Sequence, residues 1–222
     1  MPDGAGQLSL ADQTLLFNLA PVGYTHMSWY DTLPYGTLCR TLSDRADGRP
    51  WVSQYLLEAQ HVDTAYFTDF SEPRARIVLI GRKFLESLLL YVGVTLRSEE
   101  VRTEIDGRRL ALFQRRLGRD VIDYAKQRAV LAGPIPEFDY EPAVTDPRLR
   151  FLMIGAAYSL SPRATGQTAY LRRVALMLPQ DLSKKLADDL PQEVADPDNT
   201  GLPSVTRRIV KEFLPQWRHL FD

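Results

Sequence analysis

The most regular hydrophobic pattern of the chain lies in residues 74–96, where apolar side chains recur at steps of three and four. They include Ile77, Ile80, Phe84 and Leu88. This spacing is typical of a helix that packs against the protein along one side. The pattern predicts one long buried helix from about Arg74 to Leu96, with Leu88 in the middle of its buried stripe.

Shorter helices are predicted after this one from their capping signals. Ser98 is followed by two glutamates, which the positive end of a helix dipole favours, so a second helix should begin near Ser98. Gly118 is suited to end the next piece, and Asp120 to cap a helix that runs to about Leu131. These helices should carry five arginines on their outer surface: Arg108, Arg109, Arg115, Arg116 and Arg119.

Helical spacing also predicts the rest of the secondary structure. No alternation of apolar and polar residues persists through a segment, and no internal repeat is present. The sequence therefore predicts an all-α fold, an irregular multi-helix globular domain with a proline-rich connector. Further helices are expected at about 9–20, 35–42, 50–62, 148–161, 165–178, 179–190 and 204–214.

The connector, residues 132–147, contains four prolines, which exclude both a helix and a central strand. It can be an extended arm that Phe138 and Tyr140 fasten to the core, or a boundary between two lobes, 17–131 and 148–222. We favour the arm, and hence a single helical domain over 17–222 that follows a partly flexible N-terminus of residues 1–16.

Composition limits the cellular setting. Lysine and arginine total 27 against 28 acids, so the overall charge gives no reason to expect nucleic acid or an acidic membrane as partner. Cys39 is the only cysteine, which fits a reducing compartment. The N-terminus lacks the features of a signal peptide, and the uncharged stretches are too short to span a bilayer. We expect a cytoplasmic protein with no direct membrane insertion.

Signals for an enzyme are weak. No glycine-rich phosphate loop follows a strand, and no serine lies in a nucleophile elbow. The three histidines, His26, His61 and His219, are far apart in sequence and lack the pattern of a di-metal site. We therefore predict no catalytic residue, no metal and no cofactor. An enzyme without a recognisable motif stays open as an alternative.

The arginines between Arg108 and Arg119 form the most distinctive charge feature, because no acid lies among them. They fit a helical nucleic-acid-binding regulator poorly, since leucines alternate with the arginine pairs where base-reading polar residues would be needed. Two other interpretations remain. The arginines can form a solvated face paired with nearby acids, or they can bind an acidic protein surface, because arginine is enriched at interfaces.

Three segments together resemble a known family, SctK or YscK, an accessory protein of bacterial type III secretion. The first segment contains Phe17, Asn18, Pro21, Tyr24, His26 and Trp29. The second contains Gly93, then Val101-Arg102 and Ile105-Asp106, with valine at 101 where isoleucine is more common. The third is the run YLRRVALMLP at residues 170–179. The segments occur in order and span most of the chain.

The resemblance implies a function and partners that composition and spacing do not. It implies a helical adaptor without catalytic activity at the cytoplasmic face of the bacterial inner membrane. Its expected partners are the cytoplasmic domain of the SctD-type ring protein and the SctQ-type pod protein of the sorting platform. We expect the isolated protein to be monomeric, and we expect the six residues of the first segment to be structural.

Overall fold

Helices are the only regular secondary structure in the computed structural model, which describes residues 8–129, 138–160, 168–189 and 204–221. The all-α prediction is therefore confirmed. In chain order the α-helices of these residues are α1 Leu10–Leu19, α2 Gly36–Ser43, α3 Arg49–Ala59, α4 Arg82–Leu96, α5 Ser98–Thr103, α6 Gly107–Leu117, α7 Arg119–Gln127, α8 Pro147–Ser159, α9 Thr168–Met177, α10 Gln180–Asp189 and α11 Ser204–Phe213.

The core is built around the contact between α4 and α8. Leu88 in α4 is 1% exposed, as its place in the hydrophobic stripe predicts. Most of α8, from Phe151 to Ser159, is buried. The helices meet at glycines, because a Cβ atom on Gly155 would lie 1.8 Å from the carbonyl oxygen of Leu89. The absence of a side chain at Gly155 thus allows the two backbones to approach closely.

The predicted single helix over residues 74–96 is wrong in one respect, because the chain breaks at Gly81. A 3-10 helix, Ala75–Ile80, precedes α4, and Gly81 has φ +84° and ψ 151°. A side chain is strained at such a positive φ, so glycine suits this position. The apolar residues on both sides of the break are buried, which explains why their spacing looks continuous in the sequence.

The α6–α7 region also differs from its prediction at one cap. Gly118, at φ +94°, both ends α6 and begins α7, whereas Asp120 lies in the first turn of α7 and does not cap it. An acid in a first turn still interacts favourably with the helix dipole. α7 ends at Gln127, with Arg128 as its C-cap, about four residues before the predicted end near Leu131.

The described part of the proline-rich connector is packed on the core. Phe138 and Tyr140 are each 8% exposed, and the Tyr140 carbonyl accepts a hydrogen bond of 3.1 Å from Arg97 Nη2. One cluster of buried side chains includes residues from before and after the connector. These contacts favour the arm over the lobe boundary, although the division into domains stays a prediction. Residues 132–137 lie outside the described residues.

Both ends of the described chain are helical. The C-terminal tail forms a 3-10 helix, Pro215–Leu220, whose Leu220 is buried. At the other end, Ser9 caps α1 through a reciprocal pair of hydrogen bonds with Asp12. Residues 1–7 lie outside the described residues. The same holds for residues 190–203.

Candidate interaction surface

The arginine-rich helix α6 has a clear inner and outer side. Phe113 and Leu117 are buried on its inner side. At its start the Asp106 carboxylate accepts a hydrogen bond of 2.8 Å from the Arg108 backbone N–H. All five arginines singled out in the sequence have exposed side chains. The helix is therefore held by a short apolar stripe, while its cationic groups remain accessible to a partner.

Three of the five arginines have carboxylate partners within the chain. Arg109 lies 3.0 Å from Glu104 and 3.5 Å from Glu100. Arg116 Nε lies 3.0 Å from Asp146 Oδ2, and Arg119 Nε lies 3.7 Å from Asp123. These pairs are partly exposed, and exposed pairs contribute only about 0–1 kcal/mol. For these three arginines the geometry favours the solvated, paired face.

The Arg116 pair nevertheless joins two helices at a defined point. Asp146 is the N-cap of α8, where its other oxygen, Oδ1, accepts a hydrogen bond of 3.0 Å from Leu149 N–H. One carboxylate thus caps α8 and contacts α6. Arg116 has a structural partner and is a poor choice for testing partner binding.

Arg108 and Arg115 differ from the other three. In the part of the chain that the structure describes, neither has a carboxylate within ion-pair distance. They are seven residues apart in α6, which places them on the same side of the helix two turns apart. Exposed Ala111 lies between them on that side. Together these residues present two guanidinium groups that no acid of the described residues pairs with.

Ile105 adds an apolar group next to these cations. It is 98% exposed, more than any other large hydrophobic residue of the described chain. It lies three residues before Arg108, in the short link between α5 and α6. An isolated exposed apolar residue is ordinary, but one beside two unpaired arginines resembles the composition of an interface. We name Ile105, Arg108, Ala111 and Arg115 the arginine face.

Below this face, acids and arginines form a denser network. Arg150 Nη1 lies 2.8 Å from both oxygens of Glu100, and Arg150 Nε also bonds Glu141. The hydrogen bond from Arg150 lowers the pKa of Glu141, and bonding to Glu141 raises the pKa of Arg150. Glu100 also contacts Arg109. The network therefore links α5, α6, α8 and the connector, and its charges are satisfied internally.

The six residues of the first sequence segment lie apart from the arginine face and make internal contacts. Asn18 exchanges two hydrogen bonds with the Phe67 backbone, at 2.7 and 2.8 Å. Phe17 stacks on Tyr24, whose hydroxyl donates a hydrogen bond of 2.7 Å to the Phe17 carbonyl. Burial raises the pKa of Tyr24. Pro21 is buried in the 3-10 turn that follows α1.

The structure also brings the first and third sequence segments together. The His26 backbone N–H donates a hydrogen bond of 2.7 Å to the Leu176 carbonyl. The Trp29 indole N–H lies 3.1 Å from the Ala175 carbonyl and 3.0 Å from that of Leu178. These bonds hold the irregular N-terminal segment against the end of α9. They are the contacts on which the structural interpretation of His26 and Trp29 rests.

Two features of the surface and interior were not predicted from the sequence. One is Arg173, which is fully buried although its type is rarely found inside proteins. The other is the outward side of α1, where several leucines are exposed. Arg173 lies in the third sequence segment, whereas the leucines of α1 lie mainly before the first segment.

Within the described ranges, no three histidine, cysteine or acidic residues lie close enough together to bind a metal ion. Nor does any helix there have the length and apolar character needed to cross a bilayer.

Comparison with known families matches residues 13–222 to the family described as YOP proteins translocation protein K (YscK). Comparisons with curated proteins and with solved structures found no match. The matched range includes the three sequence segments and the arginine face.

Proposed function

Because the chain belongs to the YscK family of type III secretion proteins, we propose that it is a cytosolic, non-enzymatic adaptor of the secretion apparatus. In this proposal it links the cytoplasmic domain of the SctD-type inner-membrane ring protein to the SctQ-type pod protein of the sorting platform. It acts at the cytoplasmic face of the inner membrane through these proteins.

The arginine face is the observation that carries a role in protein binding. Arg108 and Arg115 are exposed on one side of α6, and no carboxylate of the described residues pairs with either. A guanidinium group can bind a carboxylate through two parallel hydrogen bonds. Ile105 supplies an adjacent apolar group that water otherwise surrounds. An acidic protein surface with a small apolar pocket satisfies all three side chains.

The arginine face has few groups that would serve a different function. A nucleic-acid-reading helix contacts base edges with polar side chains. On the side of α6 that carries Arg108 and Arg115, the residue between them is Ala111, which is apolar. The total charge of the chain is −1, which provides no long-range attraction for phosphates. These features support a protein partner over a nucleic acid.

Charge reversal of the two unpaired arginines tests the proposal. We expect the double variant Arg108→Glu, Arg115→Glu to weaken binding to the ring domain or the pod protein by tenfold or more, about 1.4 kcal/mol. Its melting temperature should stay near that of the parent, because both side chains are exposed and neither pairs with an acid in the described ranges. Arg116 is left unchanged, since a glutamate there would face Asp146, now 3.0 Å from the Arg116 side chain.

A matched control separates a local effect from a change in total charge. Lys184 and Lys185 are both exposed on α10, so Lys184→Glu, Lys185→Glu changes the net charge by the same amount elsewhere. Isothermal titration calorimetry at moderate salt should show parental affinity for this control. Parental affinity of the arginine double variant for both partners would contradict a binding role for the arginine face.

A further inference from the structure

Helix α1 has apolar side chains on two opposite sides, and the described residues bury only one of them. Phe17 on the inner side is 3% exposed. On the outer side, three leucines are about half exposed: Leu15 57%, Leu16 48% and Leu19 50%. Leu8, just before the helix, is 49% exposed. We name Leu8, Asp12, Leu15, Leu16 and Leu19 the outer face of α1.

The spacing on the outer face is that of a helix-packing seam. Leu8, Asp12, Leu15 and Leu19 follow at steps of four, three and four residues, the alternation by which one helix packs along another. Scattered exposed leucines are ordinary, but a contiguous patch of a few hundred Å² marks an interaction site. Leu15 and Leu19 lie one turn apart on this side, Leu8 comes two turns before Leu15, and Leu16 lies at the edge, so the four leucines form one apolar strip about three turns long.

Hollows flank α1 on both sides, so that it stands out as a ridge. One hollow of about 590 Å³ lies between α1 and the start of α3, and Leu16 and Leu19 line it. The second, about 650 Å³, is lined by Leu10, Leu15 and Phe70. Helices pack by fitting the side-chain ridge of one into the grooves of the other. The surface around α1 therefore has the shape that a second helix needs.

Two charged groups on this surface define the chemistry of the partner. Asp12 lies in the middle of the seam, and its hydrogen bonds with Ser9 use only Oδ2, which leaves Oδ1 for a cation. Arg49 is exposed at the edge of the first hollow, and no acid of the described residues pairs with it. A partner should place a lysine or arginine opposite Asp12 and an acid opposite Arg49.

A second copy of this chain fits these charges poorly. In a twofold-symmetric pairing of two α1 helices, the same seam residues of both copies surround the symmetry axis, and residues near the middle of the seam lie closest to it. Asp12 lies near the middle of the seam, so the two carboxylates would come within about one helical turn of the axis with no cation between them. Like charges placed together at an interface oppose association. The geometry therefore favours a different protein over self-association.

From these observations we propose that the outer face of α1 binds an amphipathic helix of another protein. That helix has leucine-type residues at steps of three and four, a cation facing Asp12 and an acid near Arg49. This binding site is separate from the arginine face, because α1 and α6 contribute different residues to each. Binding at α1 does not depend on the proposed role of Arg108 and Arg115.

Site-specific cross-linking in the producing cell tests this inference with the full chain. A photo-reactive residue replaces Leu15, and in a control protein it replaces Leu38, which is 56% exposed on α2. We expect Leu15 adducts with one other protein, through a segment that has the stated helical pattern and charges. Adducts only with another copy of this chain, equal adducts from Leu38, or no adduct would overturn the inference.

Affinity for the cross-linked protein provides the second measurement. The variant Leu15→Glu, Leu19→Glu should bind it at least tenfold more weakly, whereas Leu38→Glu should bind within twofold of the parent. The melting temperature of the double variant should be unchanged, because both leucines are exposed. A clear decrease would mean that the chain itself covers this face, and would overturn the inference. The arginine variant, measured in the same assay, separates the two surfaces.

Discussion

Gly93 and Gly155 face each other where α4 crosses α8, and neither position has room for a side chain. A Cβ atom on Gly93 would lie 1.9 Å from the Phe151 carbonyl oxygen and 3.0 Å from the Gly155 nitrogen. On Gly155 it would lie 2.9 Å from the Gly93 nitrogen. The two backbones are thus in direct contact, and this contact sets the distance between the central helices of the core.

Replacing Gly93 by alanine should therefore destabilise the protein. The added methyl group meets backbone atoms, which cannot move aside as a flexible side chain can. We expect a cost of about 1–3 kcal/mol, the usual range for overpacking a core, despite the better helix propensity of alanine. Urea denaturation measures it. Gly107→Ala is the control, because a Cβ atom there meets nothing within 4 Å. Equal midpoints for the two variants would contradict the close contact.

These glycines also show how far the sequence predicts the fold. The three- and four-residue spacing correctly predicts which face of α4 is buried, because that depends only on helical geometry. It predicts one continuous helix from Arg74 to Leu96 and gives no sign that Gly93 lies at a helix crossing. Nor does it show the interruption at Gly81. Neither role is visible in the sequence, since each depends on a segment distant along the chain.

The candidate site also depends on contacts that the sequence alone does not show. The sequence identifies five arginines with no acid among them, but their pairing depends on residues outside that run. Arg109 pairs with Glu104 and Glu100 before it, and Arg116 with Asp146 thirty residues after it. Only the folded chain separates Arg108 and Arg115 from the others. The exposure of the outer face of α1 likewise depends on what does not pack against it.

His26 should act as a pH-sensitive helix cap, with no contribution from metal. Its Nδ1 accepts a hydrogen bond of 3.2 Å from Ser28 N–H, which requires an unprotonated nitrogen. Burial, aided by Arg82 and opposed by Glu86, lowers the pKa of His26 below its ordinary 6.5. The contribution to stability is thus complete above pH 6.5. It is lost as the pH decreases from 6.5 through the lower pKa of the folded state.

We expect His26→Ala to cost about 1 kcal/mol at pH 7, in the range of a lost N-cap. His26→Asn should keep the cap, because its side-chain oxygen can accept the same bond, but lose the pH dependence below 6.5. Melting curves of the three proteins across this range test both expectations. A chelator should leave the melting temperature unchanged, and a decrease on chelation would contradict the structural role of His26.

Glu141 should contribute a second pH dependence at more acidic values. Its hydrogen bond from Arg150 lowers the pKa of Glu141 below 4.5 in the folded protein. The folded state therefore favours the charged carboxylate, and this stabilisation is complete above pH 4.5. It is lost as the pH decreases from 4.5 through the folded pKa. Glu141→Gln should be less stable than the parent at pH 7, and the difference should shrink towards pH 3. A constant difference would contradict this assignment.

Arg173 connects three separate parts of the chain without an acid. Its side chain is 0% exposed. Nη2 donates hydrogen bonds of 2.9 Å to the Val62 carbonyl and 3.5 Å to the Asn18 carbonyl. Nη1 donates 3.2 Å to the Ala169 carbonyl. Among the described residues, no carboxylate lies within ion-pair distance. Burial lowers the pKa of Arg173, but arginine remains charged in proteins. Its charge is therefore stabilised by carbonyl dipoles, including one in the last turn of α1.

Replacing Arg173 by methionine should consequently cost about 2–3 kcal/mol. Methionine retains most of the apolar stem, but it removes the guanidinium bonds to the buried carbonyls of Asn18, Val62 and Ala169. The Val62 carbonyl would keep only a long bond of 3.4 Å from Ala65 N–H. A buried polar group that loses its partner costs about 1–3 kcal/mol. Arg172→Met is the matched control. Arg172 is exposed and also donates to backbone carbonyls, but water can replace it there, so we expect less than about 0.5 kcal/mol. Urea denaturation at pH 7 compares the two variants directly. Equal destabilisation by Arg173→Met and Arg172→Met would contradict the view that the buried guanidinium holds α9 against α1 and the segment after α3.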